Sequence, residues 1–346
     1  MPDTVVCGWD IGGAHLKLVR LDADSRVIDA RQLVCPLWLG IEHLRAAMAS
    51  AWAPESGLEA IHAVSMTGEL CDNFESRDEG VSEILAVVAQ VLGSERTRIY
   101  AGEQGWRSIE QAMALGSEFV ASANWRATAE AVALVHDDAV LVDVGSTTTD
   151  IIPIVSGALA TRGTDDATRL SHDELVYTGV VRTPLMALCD TVPFAGRWQR
   201  IAAEHFAATA DIYRILGQLP EDADLHETAD GGPKTVVASA RRVCRMLGRD
   251  FVDDKDAVRG VSDYFAYRQF EQLQRALLGV QSRLSRKIET IVAAGAGSFV
   301  AQKLARFNGV HCVDFPSLFE GAPGDRHAVS TCAPAAALAK LAWLDR

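Results

Sequence analysis

Leu141-Val-Asp-Val-Gly-Ser-Thr-Thr-Thr-Asp150, continued by Ile151-Ile-Pro-Ile-Val155, is the stretch that decides the fold. An apolar run ends in an aspartate and a glycine, passes through a run of hydroxyl side chains, and enters a second apolar run. The pattern predicts strand, tight turn, strand. Gly145 lets the backbone turn sharply and approach a ligand closely. The N–H groups of the turn and the hydroxyls of Ser146, Thr147 and Thr148 could surround an anion. Asp143, at the strand end, could hold a metal ion or its water shell. Taken alone, the same pattern also fits an ordinary polar hairpin.

The chain opens with the same device. Val5-Val-Cys-Gly-Trp-Asp-Ile-Gly-Gly-Ala14 runs into His15-Leu-Lys-Leu-Val-Arg20. An apolar run again ends in an aspartate, Asp10, followed by Gly12, Gly13 and a second strand. Two such hairpins predict a duplicated α/β domain that clasps one phosphorylated ligand. The expected division is residues 1–135 and 136–346, with a mostly helical insertion at about 163–285.

Composition permits this. The 346 residues are 49% hydrophobic and 23% charged, enough for two ordinary globular domains. The net charge of −13 argues against nucleic acid or an anionic membrane as main partner. It does not argue against a phosphate ligand, because a buried site can be locally positive. The seven cysteines are scattered, odd in number and without a CxxC pair, which fits a reduced, cytoplasmic setting. No signal-peptide pattern and no 18-residue uncharged apolar run is found. A homo-oligomer is compatible with all of this.

Outward from the two hairpins, strands are expected at 4–10, 14–21, 26–34, 60–66, 97–101, 156–161, 288–294 and 310–314. Helices are expected at 40–53, 79–93, 109–115, 126–134, 256–286 and 328–344, and 163–250 reads as mostly helical. Lys17 has two readings, a solvated strand residue or a cation near the phosphate. Strand 60–66 ends in Thr67-Gly68-Glu69, and polar groups at such strand ends bind ligands in open α/β sheets. Glu69 and Asp72 are candidates there, beside the plainer reading as acidic first-turn residues of a helix. Ser122 or Asn124 is expected to cap the helix that follows; alternatively Asn124 lines a cleft with Trp125 as a flat wall for an aromatic substrate. Tyr177, Thr178, Arg182 and Thr183 form a dense polar cluster in which Arg182 could contact a phosphate or carboxylate or make a surface salt bridge. Asp230-Gly-Gly-Pro-Lys234 is the strongest turn signal and suggests a mobile loop. Strand, then Gly295-Ala-Gly297-Ser298, then helix places amides at a helix N-terminus, a further anion site.

Three phosphate-type loops in this order resemble the actin-like ATPase superfamily: Gly8-Trp-Asp-Ile-Gly-Gly13, Val142-Asp-Val-Gly-Ser-Thr-Thr148 and Ala294-Gly-Ala-Gly-Ser298. The implied fold is two ribonuclease-H-like lobes around a central cleft. Met66-Thr-Gly-Glu-Leu70 and the Ser-Thr-Thr-Thr-Asp150 run are similar to the hydantoinase/oxoprolinase branch. Ile11–Leu18, Ala121-Ser-Ala-Asn-Trp125, Val176–Pro184, Thr228–Gly231 and Pro233-Lys234 resemble the methanofuran-biosynthesis synthase family. That resemblance implies transfer of an aminomethylfuran-methyl group from its diphosphate to the phenol oxygen of a γ-glutamyl-tyramine or tyrosine-derived acceptor, releasing pyrophosphate. It also implies a divalent cation such as Mg²⁺. The site must neutralise the leaving group and accept the phenol proton. Asp10, Glu69 and Asp143 are the candidates for proton acceptor; the preferred assignment puts Asp10 and Asp143 on the metal side and Glu69 as base. The same loops would serve an ATP-dependent small-molecule kinase or a hydantoinase/oxoprolinase-type hydrolase, and ATP enters only with the kinase.

Overall fold

Alternating apolar residues fold into the expected meander at the start of the chain. The structure is a computed structural model and describes residues 4–52, 59–251, 254–320 and 326–346. The chain runs β1 (Val5–Ile11), β2 (His15–Leu21), β3 (Val27–Val34), α1 (Glu42–Ala51), β4 (Ala60–Met66), α2 (Arg77–Leu92), β5 (Thr97–Tyr100), β6 (Trp106–Arg107), α3 (Ile109–Leu115), α4 (Ser117–Val120) and α5 (Asn124–Ala133). It continues through β7 (Ala139–Val144), β8 (Thr149–Val155), β9 (Ala158–Leu159), α6 (Asp166–Ser171), β10 (Leu175–Val176), β11 (Thr191–Phe194), β12 (Arg197–Arg200), α7 (Thr209–Leu216), α8 (Val236–Met246) and α9 (Lys255–Ser282). It closes with β13 (Thr290–Ala294), α10 (Ser298–Asn308), β14 (His311–Asp314), α11 (Arg326–Thr331) and α12 (Ala333–Leu344). The expected end of the first helix, residue 53, lies outside the described residues.

Two units form. The first holds Met1–Ala139, Ile154–Leu159 and Asp314–Arg346. Its sheet has the order β3-β2-β1-β4-β5-β6. β1 pairs antiparallel with β2, placing Asp10 opposite Lys17, and parallel with β4, placing Asp10 beside Ser65. One face of β1 (Cys7, Trp9, Ile11) joins a core with Leu44 and Met48 of α1 and Ile84 and Leu85 of α2. The other face carries Gly8, because α12 leaves no room for a side chain. A Cβ there would lie 1.9 Å from the Ala335 carbonyl oxygen and 2.7 Å from the Ala339 amide nitrogen. Alanines along α12 match that approach, and Pro334 sits in its first turn, where a missing N–H costs no helical bond.

His62 of β4 is buried in this core. The Trp9 indole N–H donates to its Nδ1 at 3.1 Å, and the Trp52 ring meets it edge-on. Burial pushes the imidazole down from its usual value to about 4. Below pH 6.5 the unfolded chain takes up a proton that the folded chain refuses until about pH 4. The neutral histidine therefore contributes stability at pH 7 that is lost as pH falls through that window, on the order of 3 kcal/mol. Urea midpoints at pH 7 and pH 4.5 should differ by correspondingly more in the wild type than in His62→Asn, which does not titrate.

The second unit holds Val140–Pro153 and Ala160–Val313. Its sheet has the order β10-β8-β7-β13-β14, with β9 beside β8. β13 runs parallel to β7 and puts Ala294 beside Asp143. The two sheets thus repeat one plan: a central strand ending near an aspartate, its hairpin partner on one side, a parallel strand on the other.

Several expectations change. The third strand expected at 156–161 shrinks to the two residues of β9, turned by Ser156 and Gly157 with positive φ, and β10 fills the third place in the sheet. Residues 163–250 are not mostly helical. They include the β11–β12 hairpin, whose two-residue connection, Ala195 at φ 50° and Gly196 at φ 74°, has the left-handed backbone that matches strand twist. The helix expected at 328–344 breaks at Cys332 into α11 and α12. Residues 314–346 group with the first unit, not the second as the 136–346 division has it, because α12 lies across β1.

Candidate functional site

In the first unit the expected residues gather where β1 and β4 end. Asp10 is buried, and its register partner Lys17 reaches it, with Nζ 3.4 Å from Oδ2. Asn124 donates from Nδ2 to Asp10 Oδ1 at 3.1 Å. Lys17 is thus held in an ion pair and is not a freely solvated strand residue. Ala123 occupies the cap position without a side-chain bond, and Asn124 stands one residue inside the helix. Its two ends divide the work: Oδ1 accepts the Trp125 amide of the first turn at 2.8 Å, and Nδ2 is tied to Asp10. Ser122 does not cap the helix: its backbone is left-handed and its hydroxyl donates to Glu69 Oε1 at 2.9 Å. For Ser122 a local propensity for capping is overridden by the carboxylate that faces it.

Glu69 is buried and tightly seated. A Cβ on Gly80 of α2 would lie 2.6 Å from the Glu69 carbonyl oxygen. The Thr67 and Gly68 amides both donate to the Ile11 carbonyl, which draws this turn against the Gly12-Gly13 turn of the first hairpin. Gly12 donates to the His15 carbonyl at 2.9 Å, and a Cβ on Gly13 would strike Cys71 Sγ at 2.7 Å. Asp72 is exposed. Trp125 is 5% exposed and so is packed inward and presents no open face to a substrate.

In the second unit the turn after β7 is closed by the Gly145 amide donating to the Thr148 carbonyl at 2.9 Å. Val180 donates to the Gly145 carbonyl, and Val181 and Arg182 both donate to the Ser146 carbonyl. In a trans peptide the N–H points opposite to the C=O, and there are no cis peptides among the described residues. Two successive carbonyls drawn toward residues 180–182 therefore turn the Ser146 and Thr147 amides the other way. Successive amides facing one side form an anion-binding concavity. Gly179 permits this closeness: a Cβ there would lie 2.5 Å from the Ser146 carbonyl and the Thr147 nitrogen.

The Gly295–Ser298 loop is tied to the end of β7. Gly297 donates to the Val144 carbonyl at 2.8 Å and Ser298 to the Gly295 carbonyl at 3.1 Å, so these two amides are spent inside the protein. Gly295, at φ 85°, lies so near Asp143 that a Cβ would be 2.4 Å from its Oδ1. The loop packs closely against Asp143. Tyr177 is 69% exposed, away from the buried polar groups around Thr178. Arg182 is exposed, with its amide in the Ser146 contact. The Asp230 loop is tied down. Burial works against its carboxylate, but the Gly232 amide, Arg245 and Arg242 outweigh it and hold it at about 2.

Thr183 of the expected polar cluster, with Thr209 and Gln269, which the sequence left unassigned, supports the turn through Gly179. Thr209 and Thr183 hydroxyls and the Gln269 amide all donate to the Gly179 carbonyl, at 2.8, 3.1 and 2.8 Å. A legible signal existed for Gln269, a polar residue in the apolar spacing Phe265, Gln269, Leu273 of α9.

No disulfide joins any of the seven cysteines, all of which lie among the described residues. Among the described residues no helix is long and apolar enough to cross a membrane, and no three His, Cys, Asp or Glu residues converge on a metal position.

Residues 61–343 match the hydantoinase/oxoprolinase family. A protein of Methanocaldococcus jannaschii named (4-{4-[2-(gamma-L-glutamylamino)ethyl]phenoxymethyl}furan-2-yl)methanamine synthase is 32% identical over 257 residues, 73% of this chain and 75% of its own. A protein of the same name from Methanococcus vannielii is 40% identical over 116 residues, 34% of this chain and 52% of its own. Among solved structures, nucleotide-free acetone carboxylase superposes with a TM-score of 0.57 at 9% identity, over 96% of this chain and 70% of that one, a likeness of fold. With the repeated sheet plan, this gives the actin-like ATPase fold, and the chain belongs to the hydantoinase/oxoprolinase family, within it to the methanofuran-biosynthesis synthases.

Proposed function

We propose that the protein is a synthase that joins a furan-methyl group, supplied as its diphosphate, to the oxygen of a phenol bearing an aminoethyl or related side chain. The observation that carries this reading is the 257-residue likeness to the Methanocaldococcus synthase, whose name describes a phenoxymethyl-furan ether. In the reaction the phenol oxygen attacks the furan-methyl carbon. The carbon–oxygen bond to diphosphate breaks, pyrophosphate leaves with the electron pair, and the phenol proton passes to a base.

The residues supply matching groups. The Ser146 and Thr147 amides, oriented by residues 180–182, and the Ser146 and Thr147 hydroxyls would bind diphosphate oxygens. In the first unit Lys17 is paired with Asp10, whose other carboxylate oxygen accepts the Asn124 side-chain amide. Glu69, held through Ser122, is the proposed base. Magnesium fits as a ligand-borne ion, since Mg²⁺ is commonly held by one or two carboxylates together with phosphate oxygens. Asp143 or Asp10 would be its protein ligand, and the ion would neutralise the departing diphosphate. Small-molecule substrates and a cytoplasmic setting accompany this reading.

The test is a product assay. Purified protein with magnesium, an aminomethylfuran-methyl diphosphate and a tyramine-type phenol should give one pyrophosphate per ether formed, followed by mass spectrometry. ATP conversion to ADP that depends on a small acceptor, without pyrophosphate release from the furan diphosphate, would replace the synthase with a kinase.

A further inference from the structure

We propose that Gln269 is a positioning residue for the anion-binding turn Gly145–Thr148; the proposal rests on the reading of that turn as the diphosphate site. Gln269 lies on α9 and is fully buried. Its Nε2 donates to Thr178 Oγ1 at 2.7 Å and to the Gly179 carbonyl at 2.8 Å, and its Oε1 accepts the Tyr213 hydroxyl at 2.5 Å. One amide thus ties together α7, α9 and the loop after β10, segments far apart in sequence.

The orientation of the amide is determined by its partners. The Gly179 carbonyl can only accept, so it must face the amide NH₂, and the Tyr213 hydroxyl must then donate to the oxygen. Burial pushes the Tyr213 phenol well above its usual range, so it remains a donor at neutral pH. A reversed amide would set two carbonyl oxygens against each other in a buried site.

The consequence reaches the turn through contact. The Gly179 backbone lies flat on the Ser146–Thr147 peptide, and the next three residues hold the Gly145 and Ser146 carbonyls. Those bonds aim the Ser146 and Thr147 amides. Without Gln269 the loop loses its ties from α9 at both Thr178 and the Gly179 carbonyl and keeps only the Thr183 and Thr209 hydroxyls; the 178–182 loop can then rotate, and the amides lose their common direction. Gln269 never touches the ligand; it decides where the ligand's donors point. The buried polar cluster (Thr178, Thr183, Thr209, Tyr213, Gln269) is therefore more than a satisfied core.

The test measures binding of inorganic pyrophosphate with magnesium by calorimetry to wild type, Gln269→Met and the control Ser262→Ala. Ser262 is equally buried on α9, and its hydroxyl donates to its own helix at the Val258 carbonyl. Gln269→Met should fold with a urea midpoint near that of the control yet bind pyrophosphate about tenfold or more weakly. In turnover it should raise KM for the diphosphate substrate and leave KM for the phenol alone. Thr209→Val, which removes another bond to the same carbonyl, should weaken pyrophosphate in the same direction and serves if Gln269→Met does not fold. Unchanged binding in a folded variant overturns the proposal. If wild type binds ATP in place of pyrophosphate, the synthase reading fails while the same comparison, made with ATP, still decides the role of Gln269. Binding of neither anion by wild type overturns both.

Discussion

Gly8→Ala should prevent the first unit from folding stably. The added methyl group would sit 1.9 Å from the Ala335 carbonyl oxygen and 2.7 Å from the Ala339 amide nitrogen. Both are backbone atoms of a helix, so no side-chain rotation relieves the clash. Either β1 bends or α12 lifts off the sheet, exposing Ala335, Ala336, Leu338 and Ala339, all fully buried in the native protein. Overpacking usually costs about 1–3 kcal/mol, and a contact with no rotamer escape belongs at or beyond the upper end. Loss of soluble protein, or a thermal midpoint lower by about 10 °C or more, is expected. A Gly8→Ala protein that melts like wild type would mean that α12 does not press on β1 as described. Gly93→Ala, at an open helix end with φ 76°, is the comparison, because it carries backbone strain without the clash.

Asp143→Asn should remove most of the activity and leave the fold. Asp143 ends β7, buried, between the Gly145 turn and the Gly295 backbone. Asparagine has the same shape, so the close approach of Gly295 is preserved. What changes is the charge available to a cation beside the leaving diphosphate. A loss of about 10²–10³-fold in pyrophosphate release is expected, with urea unfolding unchanged within error. Excess magnesium restoring part of the rate would assign the charge to metal binding. A variant with full activity would remove Asp143 from the mechanism.

Much of this was legible in the sequence because hydrophobic periodicity and glycine placement are local signals. Both Asp–Gly hairpins, the strand before Thr67-Gly68-Glu69 and the strand leading to Gly295 follow from alternation and turn chemistry. The side-chain contacts were not legible. Ser122 has cap propensity, yet Glu69, far away in sequence, claims it, and Asn124 binds Asp10 as well as an amide of its own helix end. Trp125 beside Asn124 suggested a wall, whereas the helix turns it inward. Gly295 and Gly297 read as a phosphate loop, and their close contacts with Asp143 and Val144 left no mark in the local pattern. The β11–β12 hairpin escaped notice because its turn is Ala-Gly, and alanine at positive φ gives no advance sign.

The return of α12 to β1 sets an order on biosynthesis. The first strand leaves the ribosome long before the helix that covers its Gly8 face, and that helix is finished only at residue 344. The apolar backs of β1 and β4 must wait through the making of the whole second unit, whose main stretch, Ala160–Val313, is continuous. The nascent N-terminal half therefore has an uncovered sheet face for most of translation. It is a part of the chain with need of a holding chaperone, and premature termination between residues 313 and 333 leaves a product that holds the whole second unit but lacks the helix that covers β1.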